Sequence, residues 1–166
     1  MTAPVHLVLG ATGGIGSTLA RTLAARGARL VLGGRRPDVL EALGAELGAR
    51  TVHVDATRVA DIDGAVELAV RDFGRLDGAV NCFGSLLLKP AHLTKPEEFE
   101  DVLAVNLRSS FALVRAATRA MMNNTEPAGG SRWRSNPSGG RASVSGSTRW
   151  PPSSRRRPAA APSCSA

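Results

Sequence analysis

The sequence contains no tyrosine, and Lys89 and Lys95 are its only lysines. No phenol is therefore available as a general acid or base anywhere in the 166 residues. Two cysteines, Cys82 and Cys164, exclude a disulfide scaffold and a four-cysteine zinc site. Cys82 reads as a small buried hydrophobe. His6, His53 and His92 lack ligand-like spacing, so no metal site is expected. No uncharged apolar run reaches the roughly 18 residues of a membrane span. The N-terminus has no basic stretch followed by an apolar one, so no secretory signal is read there and a cytoplasmic location is expected.

Acidic residues are also scarce, but only in one place. The net charge of +7 is the excess of 21 Lys and Arg over 14 Asp and Glu. Residues 1–122 hold 14 basic and 13 acidic side chains, whereas residues 123–166 hold seven Arg and the single acid Glu126. That second segment has Val144 as its only Val, Ile, Leu or Phe, among ten Ser, six Pro and five Gly. So few aliphatics bury too little surface to offset an ordering cost of about 1–2 kcal/mol per residue. The expectation is a folded segment 1–122 and a basic, disordered tail 123–166. Basicity confined to the tail gives weak grounds for a nucleic-acid partner.

The front segment alternates in period. Val5–Leu9, Arg29–Leu32, Thr51–Val54 and Asp77–Cys82 are short apolar runs that predict strands. Ile15–Arg26, Pro37–Leu47, Val59–Phe73 and Phe99–Met122 have apolar residues at helical spacing. Strands alternating with helices imply right-handed crossovers and a parallel sheet covered by helices on both faces. The expected fold is α/β of the Rossmann type, ending after about four strands and the long helix that follows them.

Between the first strand and the first helix stands Gly10-Ala11-Thr12-Gly13-Gly14-Ile15-Gly16. Glycines there let backbone N–H groups approach a pyrophosphate that a Cβ would hold off. The helix behind them points its N–H groups and positive dipole end at the phosphates. The alternative is a glycine turn that only packs helix on strand. The strand–turn–helix context favours dinucleotide binding.

The spacing of Gly10, Gly14 and Gly16 resembles that of the short-chain dehydrogenase/reductase family. Further matches follow in order. Val54-Asp55-Ala56-Thr57 resembles the family's turn with an Asp that meets the adenine ring. Asn81-Cys82-Phe83-Gly84 is similar to its Asn-Asn-Ala-Gly strand end, with Cys82 and Phe83 departing from it. Val105-Asn106-Leu107 looks like the helix Asn of its proton relay. The resemblance spans residues 5–122. It implies cofactor contacts at Gly10, Thr12, Gly14, Ile15, Gly16, Arg35, Asp55, Ala56, Asn81 and Gly84, and a catalytic-set position at Asn106. Read residue by residue, Asp55 is alternatively a simple turn acid, and Asn81 is expected to hold neighbouring strands together through its amide.

The second strand runs into Gly33-Gly34-Arg35-Arg36. NAD-preferring relatives place an acid near Gly34 to bond the ribose 2′-OH. Here Arg35 follows instead, and a guanidinium suits a 2′-phosphate, so NADP(H) is expected over NAD(H). Arg35 and Arg36 otherwise merely solvate a loop.

The resemblance also implies a Ser, a Tyr and a Lys four residues after that Tyr. There is no Tyr, both lysines precede Asn106, and no serine of the tail follows a strand-like run, so only Asn106 of that set is carried over. The family activity, hydride transfer to a small carbonyl or from an alcohol, is therefore expected of intact homologues and not of this chain as written. A family-like homo-oligomer is doubtful for it as well. One expectation is a truncated, inactive oxidoreductase whose tail is read out of frame. Rereading residues 138–158 two bases later, with GC-rich codons chosen for the purpose, gives a run resembling the His-Glu…Lys helix of divergent family members. The alternative is a non-catalytic dinucleotide-binding module with a natural basic tail. A nucleic-acid binder acting through the tail ranks third.

Overall fold

The computed structural model describes residues 2–124. The tail expected over 123–166 lies outside the described residues from position 125 onward. Four strands and five α-helices are formed in this range: β1 Val5–Leu9, α1 Gly14–Ala25, β2 Arg29–Gly34, α2 Pro37–Leu47, β3 Arg50–His53, α3 Val59–Phe73, β4 Gly78–Asn81, α4 Pro96–Leu103 and α5 Ser109–Met122. A 3-10 turn spans Ala91–Leu93, and a wide π turn, Ala104–Arg108, joins α4 to α5.

The strands form one parallel sheet in the order β3-β2-β1-β4. Each strand's alternation sends side chains to opposite faces. Val5, Leu7, Leu9 and Val31 join Ile62, Val66, Leu113 and Ala117 beneath α3 and α5. Val8, Leu30 and Leu32 join Ala20, Leu40 and Leu43 beneath α1 and α2. Both faces are thus covered, as the apolar strands require. Among the described residues no helix is long and apolar enough to cross a membrane.

Three element bounds agree with the periodicity residue for residue: β1, α2 and α3. α1 is displaced by one position. β2 runs two residues past the predicted Leu32, because Gly33 and Gly34 still pair with Val52 and His53. β3 is Arg50–His53 and not Thr51–Val54, although Val54 stays buried and its N–H still donates to the Gly34 carbonyl at 3.1 Å. β4 is assigned one residue shorter at each end than predicted. Even so, Asp77 N–H and Cys82 N–H donate to the Val5 and Leu9 carbonyls at 2.8 and 2.9 Å.

The single long helix predicted over Phe99–Met122 is corrected. Helix begins at Pro96, where the Glu98 carboxylate accepts the Lys95 N–H at 2.9 Å, and the π turn divides it.

The sheet is anchored at its amino end by Asp77. Its carboxylate accepts the Val5 N–H at 2.8 Å and two Arg75 N–H groups at 2.8 and 2.6 Å. Both side chains of this pair are about a tenth exposed or less, 11 and 7 %. Burial raises the Asp77 carboxyl, but the Arg75 and Val5 hydrogen bonds and the Arg75 charge outweigh it and hold the group below its ordinary value. Just after α5, Asn124 brackets Leu76, donating to its carbonyl at 2.6 Å and accepting its N–H at 3.3 Å.

Candidate functional site

Strand order reverses between β1 and β4, and in a doubly wound sheet the crevice at the carboxyl ends of such strands is where ligands bind. The glycine loop lies in that crevice, and its glycines divide the work. Gly10 is left-handed at φ 73°, and a Cβ there would stand 2.7 Å from the Cys82 backbone. A Cβ on Gly16 would meet the Gly10 carbonyl oxygen at 2.3 Å. Both positions are required by the chain's own packing. Gly14 is different, with no atom within 4 Å of where its Cβ would be. It opens α1, whose N-terminus is covered by no side-chain cap among the described residues. Such an end presents unpaired N–H groups and a positive dipole to the crevice. The fit to a pyrophosphate therefore rests on Gly14, beside which Ile15 is 80 % exposed.

Thr12 sits between the loop and β2. The Arg36 guanidinium donates to its carbonyl, and a Cβ on Gly34 would lie 2.9 Å from its Cγ2. An acid in place of Gly34 would have to displace Thr12. Sequence reasoning singled out Arg35, but Arg36 makes the contact to the glycine loop. The signal was the doublet itself, whose second member is the cap residue of α2. Arg35 acts on Asp55 by charge, as does Arg58, which was not singled out.

Asp55 serves as a turn acid. Its Oδ1 accepts the Thr57 N–H at 2.9 Å and hydroxyl at 2.8 Å. These two bonds, with lesser help from Arg35 and Arg58 against desolvation, hold its carboxyl below the usual value. Its own N–H donates to Asp61 at 3.0 Å, so the turn after β3 is tied to α3. Ala56 is buried behind it.

Asn81 requires a correction. Its side chain does not bind a neighbouring strand. Oδ1 accepts the Phe83 N–H at 3.0 Å, and Nδ2 donates to the hydroxyls of Ser109 and Ser110 at 2.9 and 3.0 Å. It therefore joins β4 to α5. Asn106, on the π turn, brackets Ser85: Oδ1 accepts the Ser85 N–H at 2.9 Å and Nδ2 donates to its carbonyl at 2.8 Å. Gly84 lies beside Asn106, leaving 3.8 Å to Oδ1 even with a Cβ added. Cys82 is half-buried, not fully buried, and desolvation pushes its thiol up. Ser85, Ser109 and Ser110 were not foreseen, because nothing in a serine doublet on a helical pattern announces a partner 28 residues away.

Residues predicted for the phosphates and adenosine (Gly10, Thr12, Gly14, Ile15, Gly16, Arg35, Asp55, Ala56) thus follow the carboxyl ends of β1, β2 and β3, with Gly10, Gly16 and Ala56 buried. Asn81, Gly84 and Asn106 stand together on the β4 side of the crevice.

A family model described as enoyl-(acyl carrier protein) reductase matches residues 10–132. D-threitol dehydrogenase of Mycolicibacterium smegmatis is 33 % identical over 123 residues, covering 71 % of this chain and 47 % of that protein. The 3-oxoacyl-(acyl-carrier-protein) reductase of Escherichia coli is 36 % identical over 124 residues, covering 71 and 49 %. Among solved structures, a blue fluorescent protein from a metagenomic library in complex with NADPH aligns with a TM-score of 0.68 at 31 % identity, covering 71 % of this chain and 51 % of that one. The 3-ketoacyl-(acyl-carrier-protein) reductase of Brucella melitensis complexed with NADH aligns at 0.66 and 33 %, covering 70 and 50 %. The chain spans about half the length of the curated relatives it matches.

Proposed function

The chain belongs to the short-chain dehydrogenase/reductase family, and we propose that residues 5–122 are a dinucleotide-binding half that prefers NADP(H) to NAD(H). The observation that carries this reading is the open space at Gly14, in front of an uncapped helix end at the strand-order reversal. The N–H groups of Gly14, Ile15 and Gly16 take the pyrophosphate, on a loop shaped by Gly10 and Thr12. Arg35 takes the 2′-phosphate beside Arg36, which is already bound to the loop. Asp55 and Ala56 border the adenine, while Asn81 and Gly84 border the nicotinamide side. Asn106 keeps the family's relay position. A bound nicotinamide would supply the hydride chemistry, and these residues bind and orient it.

The substrate of intact homologues would be a small carbonyl or alcohol. Because the 166 residues hold no tyrosine, the reading for this chain is binding without turnover. The composition of residues 123–166 supports an out-of-frame origin for that segment. Resequencing codons 120–140 separates the two versions of this proposal. A Tyr–Lys pair encoded downstream in another frame favours a truncated oxidoreductase, and an unbroken frame favours a non-catalytic binding module. The binding itself is tested by fluorescence titration with NADPH and NADH. Failure of both to bind sinks the reading, and tighter NADH binding sinks the Arg35 argument.

A further inference from the structure

A network of hydrogen bonds, continued through the covalent frame of Asn106, links the end of β4 to the first residue after Gly84, and every proton in it has an assigned direction. The Phe83 N–H can only donate, so the Asn81 atom facing it is the oxygen and the atom facing α5 is the amide nitrogen. That nitrogen has two hydrogens, one for each of Ser109 and Ser110. A hydroxyl that accepts from the amide is left with its own proton to donate. Ser109 gives it to the Val105 carbonyl and Ser110 to the Asn106 carbonyl, the latter at 2.8 Å. Both carbonyls belong to the π turn, and each bond is the contact to the carbonyl four residues back that serine hydroxyls make in helices. Asn106 then brackets Ser85 with both ends of its amide. Ser109 is fully buried, and no buried side-chain polar atom among the described residues lacks a partner.

The position of this network gives it a consequence. The adenosine groups lie on the β2–β3 side, so a dinucleotide crossing the strand-order reversal puts its other half over Cys82–Ser85. We propose that Ser109 and Ser110, set by Asn81, are positioning residues for the nicotinamide half of the ligand. They act by fixing the π turn, through it Asn106, and through Asn106 the Ser85 wall. This inference rests on the dinucleotide reading above.

A purely structural role would weaken every ligand alike, whereas a positioning role is confined to one half of the dinucleotide. The full chain and its Ser110→Ala, Ser110→Thr and Asn81→Asp variants are titrated with NADPH and with adenosine 2′,5′-bisphosphate, which lacks the nicotinamide half. Asn81→Asp keeps the shape but removes both amide donors, so it breaks the series at a second link. The expected result is NADPH binding weakened about five- to tenfold by Ser110→Ala and by Asn81→Asp, roughly the effect of one lost hydrogen bond. Binding of the bisphosphate should stay within about twofold, and Ser110→Thr, which keeps the hydroxyl, should restore NADPH. Equal weakening of both ligands, or none of either, overturns the inference while leaving dinucleotide binding intact. If the unaltered chain binds neither ligand, the underlying reading falls and takes this inference with it.

Discussion

Replacing Gly14 by alanine should make the protein more stable and its dinucleotide binding worse. The stability half follows from space and backbone. No atom lies within 4 Å of the added Cβ, and Gly14 is not among the positive-φ glycines. A glycine-to-alanine change at such a position stabilises by about 0.4–1 kcal/mol, chiefly through the unfolded chain. For a folded part of this size that raises Tm by about 1–5 °C. The binding half follows from the same empty space. A methyl group in front of α1 holds a pyrophosphate away from the first N–H groups. Losing one or two charge-assisted bonds of about 1.5–3 kcal/mol each weakens NADPH by about tenfold or more. Gly16→Ala is the contrast, since its Cβ would stand 2.3 Å from the Gly10 carbonyl oxygen, which is backbone. It should destabilise by about 1–3 kcal/mol, as overpacking does. The assay is a thermal melt of each variant with and without NADPH, beside a fluorescence titration. Wild-type NADPH affinity in Gly14→Ala would refute the assignment of that space to the ligand. A lowered Tm in the same variant would refute the claim that the space is free.

Arg35→Asp should weaken NADPH by about 1–3 kcal/mol and leave NADH nearly unchanged, measured by calorimetry. Equal loss for both would remove Arg35 from the 2′-phosphate. Asp77→Asn should destabilise the fold by about 1–3 kcal/mol, because it removes the carboxylate that accepts the Val5 N–H and two Arg75 N–H groups. The Asp77 carboxyl is held low in the folded state, so its contribution is present above the unfolded value of about 3.9 and is lost as pH falls through the folded value. Denaturant midpoints measured below about pH 5 should therefore fall more steeply in the unaltered protein than in Asp77→Asn. Finally, NADPH oxidation with small carbonyl compounds should not exceed that of an Asn106→Ala control, and any turnover above it would contradict binding without catalysis.

Bounds were legible in the sequence where a breaker stands beside a periodic run. Gly10 closes β1, Pro37 opens α2 and the left-handed Gly74 ends α3, and all three elements agree with the periodicity residue for residue. They were not legible where pairing continues through residues with no strand character. Gly33 and Gly34 extend β2 because β3 lies alongside, and a Cβ on Gly33 would require Leu9 Cδ2, 2.7 Å away, to shift. The π turn was not separated from the helices that flank it, because one inserted residue over Ala104–Arg108 rotates the apolar stripe by about 100°, comparable to the stripe's own width.

The same distinction explains what could be read of the site. Glycine spacing located the loop but assigned one reason to three glycines, and space around each residue assigns them two. Gly10 and Gly16 are glycine because backbone crosses backbone, which would hold whether or not a ligand ever bound. Of these three, Gly14 alone is glycine without an internal cause. Asn81 shows the complementary case. Its type and place were readable, but its partners were not, because Ser109 and Ser110 lie 28 and 29 residues away, on the helix beyond the π turn. A motif residue whose neighbours come from a distant part of the chain is thus legible as a position and not as a role. Its role has to be sought in the groups that consume its protons.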